Sequence, residues 1–180
     1  MLTYESKTFP NATPLTIYET KIDDEQMNKD LIKVIDERGD EQQFKTNVKA
    51  QMTNYDMTKS EPFIKLTNYM RELVENICIG EEKTKVKLIF PDIWGAKYES
   101  GQFAISHEHF PASFSLVYYI HVPHQCPAGL IFTDANIMKK VYSGLLLCFN
   151  GSVKHHVPQT EFKGSRYVAA SNAYIQSYDR

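Results

Sequence analysis

Long hydrophobic runs are missing from this 180-residue chain. The longest run, residues 145–149, has the length of a β-strand, whereas a membrane-spanning helix needs about 20 apolar residues. Residues 1–5 also lack the basic start and the apolar stretch of a secretory signal peptide. We therefore predict a protein that does not enter a membrane and that works in the cytoplasm, which would be the host cytoplasm if a phage encodes it.

Cysteine and excess positive charge are scarce as well. The three cysteines, Cys78, Cys126 and Cys148, are odd in number and form no C-x-x-C pair, which predicts reduced thiols rather than a disulfide framework. The 22 acidic residues outnumber the 20 basic ones, and the net charge of −2 excludes a broad nucleic-acid-binding surface. The composition, 42% hydrophobic and 23% charged, is that of a globular protein, and the length predicts one domain over 1–180.

The hydrophobic pattern predicts a helical first half and a strand-rich second half. A strand over 15–22 precedes a helix over 25–38 with Asp23 and Asp24 as candidate N-caps, and a second helix runs from near Ser60 to a stop at Gly80. Residues 40–58 carry no clear pattern. Thereafter the period changes to two, and short strands are predicted over 86–90, 94–98, 102–105, 114–122, 129–133, 144–149, 155–157 and 166–175.

Such closely spaced strands without crossover helices predict antiparallel sheets. The fold class is therefore α+β or mainly β: a double-stranded β-helix (a cupin-like jelly roll) with two N-terminal helices packed on one sheet. In this prediction residues 1–83 supply a strand and the supporting helices, and residues 84–180 form the jelly-roll core.

All six histidines follow residue 106. His107 and His109 are two residues apart, so extended backbone would place both imidazoles on one face. His155 lies on another predicted strand, and a rolled-up sheet architecture can bring it to the first two. An isolated H-x-H pair is usually not a metal site, but three converging imidazoles with open coordination positions suit a divalent first-row metal such as Fe(II).

Two longer segments carry a family resemblance. Residues 98–109, YESGQFAISHEH, resemble the Y-x-x-G-x-x-x-x-x-H-x-D segment of the 2-oxoglutarate- and Fe(II)-dependent dioxygenases, and residues 144–157, GLLLCFNGSVKHHV, resemble their G-x-L-x-x-F-x-x-x-x-x-H-x-V segment. Arg166 follows His155 at about the spacing of the family's 2-oxoglutarate-binding arginine. The likeness extends to a bacterial and phage subgroup with an H-x-H motif, and it spans roughly residues 93–175.

The resemblance implies Fe(II) as cofactor, 2-oxoglutarate as cosubstrate and O2 as co-reactant. It makes His107 and His155 metal ligands, with His109 where the family has a carboxylate. Glu108 or Asp134 remain alternatives for that third position, and His156 remains an alternative to His155. Arg166 would bind the cosubstrate, and the other candidates for contacts to cosubstrate or substrate are Tyr98, Tyr119, Ser115 and Asn172.

The implied activity is hydroxylation of a substrate that the sequence does not identify: a polypeptide, a nucleobase or a small metabolite. A homodimer is compatible with the sequence. Two other functions stay open, namely a non-catalytic jelly-roll binding or phage accessory protein, and a three-histidine cupin-type metalloenzyme that does not use 2-oxoglutarate.

Overall fold

The computed structural model describes residues 2–9, 15–79, 85–124, 126–127 and 129–179. Within these ranges the helices are α1 (Glu25–Arg38), a 3-10 turn (Met57–Lys59) and α2 (Glu61–Ile79). The strands are β1 (Glu5–Phe9), β2 (Leu15–Lys21), β3 (Val48–Lys49), β4 (Gln51–Met52), β5 (Lys85–Tyr98), β6 (Phe103–His107), β7 (Phe114–His121), β8 (Leu130–Phe132), β9 (Ile137–Lys139), β10 (Leu145–Asn150), β11 (His155–Val157) and β12 (Arg166–Asp179). The predicted helix stop at Gly80 and the boundary between residues 83 and 84 lie outside the described residues.

The strands form two antiparallel sheets. The larger has the order β1-β2-β10-β7-β12-β5-β4, and the smaller has the order β3-β6-β11-β8-β9. Many neighbours, such as β2 and β10 or β5 and β12, are distant in sequence, as they are in a jelly roll. The predicted fold class is confirmed.

Period-two alternation divides the large sheet into two apolar faces. On β10, Leu146 and Cys148 pack with the helices, whereas Leu145, Leu147 and Phe149 pack toward the small sheet. The same alternation on β5, β7 and β12 turns one residue of each pair toward the helices and the next into the space between the sheets. The second face is the one that carries the candidate site.

The two helices cover the outer face of the large sheet, as predicted. The Asp24 carboxylate caps α1 by accepting a hydrogen bond from the Met27 backbone N–H at 3.1 Å. Gly95 lets the helices approach β5 closely, because a Cβ there would lie 2.6 Å from Cδ1 of Ile35 and 3.1 Å from Cζ of Phe63. In the described part of the chain, neither helix is both long and apolar enough to cross a bilayer.

The sequence prediction was wrong in placing two strands, 86–90 and 94–98, where the structure has the single strand β5. β5 continues through Pro91, because the register with β12 shifts between Asn172 and Tyr174 and sets Phe90 and Pro91 opposite Ala173 alone, in a bulge that contains the proline. A residue inside a bulge does not donate a hydrogen bond to the neighbouring strand. The missing backbone N–H of Pro91 therefore costs little stability. The short strands β1, β3, β4 and β9 were not predicted either.

Candidate metal centre and its two cavities

Strands β6 and β11 bring His107 and His155 side by side. The two residues are direct partners in the antiparallel register, and their ring centroids are 4.6 Å apart. On its other side His155 pairs with Phe132 of β8, and its ring contacts Phe149 edge-on at 4.9 Å. His155 is 4% exposed. It is therefore fixed in the core of the jelly roll, where the small sheet faces the large one.

His109 joins these two residues from the loop that follows β6. Its backbone N–H donates a hydrogen bond of 2.7 Å to the Gly151 carbonyl in the turn between β10 and β11. The ring lies 5.0 Å from that of His107 and 5.2 Å from that of His155. The candidate ligand nitrogens of the three histidines all lie within 4.8 Å of one another. Segments that are more than 40 residues apart thus form one potential metal centre.

Backbone carbonyls orient two of the three rings. His107 donates from Nδ1 to the carbonyl of Ile105 at 2.6 Å, and His155 donates from Nδ1 to the carbonyl of Val153 at 2.9 Å. Because a carbonyl only accepts, the proton is on Nδ1 in each case, and Nε2 carries the lone pair. This arrangement is the usual support for a metal-binding histidine, since it fixes both tautomer and ring orientation.

Burial keeps the three imidazoles neutral. Desolvation and the neighbouring His107 lower the pKa of His155 to about 3 and that of His109 to about 4. Desolvation also lowers the pKa of His107, although its hydrogen bond to Ile105 acts in the opposite direction. Neutral imidazole is the form that binds a metal ion, so no proton needs to be displaced at physiological pH.

The alternative ligands lie elsewhere. Glu108 is exposed and Asp134 lines a separate cavity beside Asn150 and Ser152; neither carboxylate belongs to the cluster of potential ligands. His156 points away from the cluster toward Thr133, whose hydroxyl lies 3.1 Å from its Nδ1. The three-histidine set without a carboxylate is therefore the arrangement that the fold provides.

The space between the sheets holds a cavity, which we call the inner cavity. The three histidines line it together with Arg166, Tyr98, Tyr119 and Ser115. Arg166 is 1% exposed, and its guanidinium lies over the Tyr98 ring, 4.6 Å from the centroid. Burial raises the pKa of Tyr98 to about 12 and raises that of Tyr119 further, so both hydroxyls stay protonated and able to donate.

The register of β12 separates the other predicted contacts from Arg166. Asn172 follows Arg166 by six residues on the same face, which is roughly 20 Å along an extended strand. Asn172 lies opposite Ser115, whose hydroxyl donates to Oδ1 of Asn172 at 3.4 Å. Ser115 and Asn172 thus lie at the histidine end of the site, and only Tyr98 and Tyr119 accompany Arg166 at the far end.

A second cavity, the outer cavity, meets the inner one at the histidines. His107, His109 and Trp94 line both cavities, and the outer one also contains Asn47, Tyr55, Glu108 and Asn172. The Trp94 ring is 5.9 Å from the His109 ring and 5.2 Å from the Tyr55 ring. Sequence reasoning missed Asn47 and Tyr55, since both lie in the segment 40–58, where the hydrophobic pattern gives no signal.

Comparison with known proteins gives structural matches only. No protein-family model matches the sequence, and no curated protein matches it. A viral collagen prolyl hydroxylase from Paramecium Bursaria Chlorella virus-1, solved as a 2-oxoglutarate complex, superposes with a TM-score of 0.62 over 86% of this chain and 94% of its own, at 17% identity. The chain shares its fold.

Two further solved structures extend this likeness. A prolyl-4-hydroxylase from Pseudomonas putida gives a TM-score of 0.66 at 16% identity, over 89% of this chain and 93% of its own. HygX from Streptomyces hygroscopicus, with nickel, 2-oxoglutarate and hygromycin B bound, gives 0.63 at 9% identity, over 89% and 83%. The fold of this chain, a jelly roll with two helices, is thus similar to the folds of these three solved structures over most of the chain.

Proposed function

We propose that the protein is a non-haem Fe(II)- and 2-oxoglutarate-dependent dioxygenase that hydroxylates a substrate at the mouth of its histidine cluster. One observation carries the proposal: three neutral imidazoles converge at one end of a cavity whose other end holds a buried arginine. The fold supports it, because structural neighbours with 2-oxoglutarate bound have the same architecture.

The donor set fits a divalent first-row metal. Imidazole nitrogen is a good ligand for Fe(II), and the carbonyls of Ile105 and Val153 hold two of the rings in the required tautomer. The centre lacks the carboxylate of the family's usual triad, so it carries one negative charge fewer. We therefore expect it to hold Fe(II) less tightly than a 2-His-1-carboxylate site does.

Arg166 fits the far carboxylate of 2-oxoglutarate. Its planar guanidinium can bind a carboxylate through two parallel hydrogen bonds, and a dianionic ligand would offset the charge of a guanidinium buried to this degree. Ala170, the partner of Trp94 in the register, follows Arg166 by four residues, or roughly 13 Å along the strand. The arginine side chain and a five-carbon diacid can together span that distance.

The protein would orient the reactants and exclude water. Bound Fe(II) and 2-oxoglutarate would supply oxidising power from O2, with conversion of the cosubstrate to succinate and CO2. The histidines fix the metal, Arg166 and the Tyr98 and Tyr119 hydroxyls fix the diacid, and Val168 and Ala170 keep the wall between them apolar. The outer cavity would admit the substrate, whose class stands open among polypeptide, nucleobase and small metabolite.

The test is the visible spectrum of anaerobic protein loaded with Fe(II). Addition of 2-oxoglutarate is expected to produce a charge-transfer band in the wild type and in His121→Ala, a control at an exposed histidine. His107→Ala and His155→Ala should lose the band together with the metal, and Arg166→Ala should shift it to higher 2-oxoglutarate concentration. No band in the iron-loaded wild type would contradict the proposal.

The absence of a carboxylate from the cluster favours a second candidate, a three-histidine metalloenzyme that uses no 2-oxoglutarate. It predicts that the wild type binds iron and that neither 2-oxoglutarate nor Arg166→Ala changes its spectrum. A non-catalytic binding module predicts no iron uptake, so the same experiment separates all three functions.

A further inference from the structure

The outer cavity is lined by acceptors on Glu108 and Asn172 and also by residues that can donate, among them Thr46 and Asn47. Among the described residues that line it, Glu108 is the one with a carboxylate, and it is exposed. Among the described residues, no hydrogen bond or ion pair engages its carboxylate. No lysine or arginine in the described ranges lines this cavity. Glu108 therefore gives this cavity a carboxylate that has no partner among the described residues.

Asn172 adds a second acceptor, because its donors are turned away from the cavity. Its Nδ2 donates to both carboxylate oxygens of Asp92, at 3.1 and 3.2 Å, and its backbone N–H donates to the same carboxylate at 3.0 Å. The hydroxyl of Ser115 uses one lone pair of Oδ1. The amide therefore has an oxygen lone pair to offer a ligand, while the Asp92 carboxylate lies behind it.

The aromatic wall of the cavity also favours a positively charged ligand. Trp94 and Tyr55 meet edge-to-face at an interplanar angle of 68°, so the two ring faces are not stacked on each other. Tyr55 is 43% exposed, which leaves its ring accessible at the mouth. The faces of tryptophan and tyrosine carry partial negative charge and attract cations.

We propose that the outer cavity binds an organic cation, an ammonium or guanidinium group that belongs to the primary substrate. Glu108 and the Tyr55–Trp94 pair hold the charged end, and the neutral part of the ligand extends toward the histidines. The identification of this ligand as the substrate rests on the proposed function, whereas its binding in the cavity does not.

Trp94 makes the binding directly observable, because it is the only tryptophan in the chain. Its fluorescence is titrated with three ligands that each carry a short n-alkyl chain, at constant ionic strength: n-butylguanidinium, n-butanol and butyrate. We expect the cation to change the emission with an affinity about tenfold higher than that of the alcohol, and butyrate to bind no better than the alcohol. Equal affinities for cation and alcohol, or a preference for butyrate, would overturn the inference.

Two variants test the residues that make the contact. Glu108→Gln should weaken butylguanidinium binding about three- to fivefold, as expected for a partly exposed ion pair, and leave butanol unaffected. Tyr55→Leu should weaken it about two- to fivefold. Glu37→Gln removes a charge on the exposed side of α1 and should change nothing. An unchanged cation affinity in Glu108→Gln, in protein that keeps its melting temperature, would contradict the assignment.

Titration with and without Mn(II) and 2-oxoglutarate separates this inference from the proposed function. If the protein binds the cation but neither metal nor 2-oxoglutarate, the assignment of the outer cavity stands and the oxygenase proposal is refuted. If it binds metal and 2-oxoglutarate but not the cation, only the inference of a cation site is refuted. A short peptide with one lysine, compared with its N-acetyllysine form and with free butylamine, then identifies the source. Tighter binding of the lysine peptide than of butylamine supports a polypeptide substrate, and tighter binding of butylamine supports a small amine.

Discussion

The two cavities that meet at the histidines are built in different ways. The inner cavity is lined mostly by strand residues in fixed register: Arg166 faces Tyr98, and Val168 faces both Ala96 and Tyr119. The outer cavity takes Asn47, Tyr55, Glu108 and His109 from segments between strands. Under the proposed function, the inner cavity would be a rigid site for the metal ion and 2-oxoglutarate. The outer cavity would then determine which substrate enters.

The strongest test of this contrast is the removal of a candidate metal ligand that lies on a β-strand. His155→Ala is expected to weaken Mn(II) binding by more than about 100-fold, since loss of even a supporting partner of a ligand costs 10- to 100-fold. Tyr55→Leu, at the outer cavity, should bind the metal normally. Calorimetric titration measures both, and equal losses in the two variants would remove the distinction between the cavities.

Arg166→Ala should act on the diacid alone. Removal of one partner of a buried charged pair costs several kcal/mol, so the affinity for 2-oxoglutarate should fall about 100-fold or more. Arg166→Lys keeps the charge but not the planar fork, and it should recover only part of the loss. Titration of 2-oxoglutarate into Mn(II)-loaded protein measures the effect; a normal affinity in Arg166→Ala would place the diacid elsewhere.

His109 lies between the two cavities, and replacing it tests the missing carboxylate. His109→Ala should weaken metal binding about 10- to 100-fold, which is less than the loss of a strand-borne ligand. His109→Asp should restore the binding of Fe(II), because a carboxylate at this position completes the common facial triad. Failure of aspartate to improve on alanine would show that residue 109 does not reach the metal.

Gly95→Ala probes the opposite face of the large sheet. The added methyl group would contact Ile35 and Phe63, both fully buried, and overpacking of this kind costs about 1–3 kcal/mol. The melting temperature should fall, while the affinities of the folded protein for metal and 2-oxoglutarate stay the same. Thermal denaturation with and without ligands checks both statements, and a lower ligand affinity without a fall in stability would count against them.

The smallest effect on the metal is expected from Glu108→Gln. Its carboxylate is exposed and lies outside the histidine cluster, so Mn(II) affinity should change less than about twofold. Asp134→Asn, in a separate cavity, serves as the matched control. A large loss confined to Glu108→Gln would make Glu108 the missing carboxylate ligand.

The sequence predictions were most informative for residues whose side-chain direction is determined by the period-two alternation of a β-strand. Alternation along a strand places Arg166 on the inner face, and an extended backbone turns His155 and His156 to opposite sides, so both features were within reach before the structure. Alternation does not say at which end of a long cavity a residue lies. Ser115 and Asn172 were therefore grouped with Arg166, although the register of β12 separates Asn172 from it by six residues.

Asn47 and Tyr55 of the outer cavity were not accessible to such reasoning. Residues 40–58 take their shape from long-range backbone hydrogen bonds, such as Ile105 N–H to the Asn47 carbonyl and Gln42 N–H to the Met52 carbonyl. These bonds involve no side chain, so they leave no periodic signal in the sequence. Pro91 misled for a related reason, because the bulge that accommodates it depends on the partner strand.

The central claim is that the histidine cluster and Arg166 belong to one site, and the energetic coupling between metal and diacid tests it most directly. If both bind at the two ends of the inner cavity, 2-oxoglutarate affinity measured by calorimetry should rise at least about tenfold when Mn(II) is present, and His155→Ala should abolish the rise. A 2-oxoglutarate affinity that is the same with and without Mn(II) in the wild type would contradict the account.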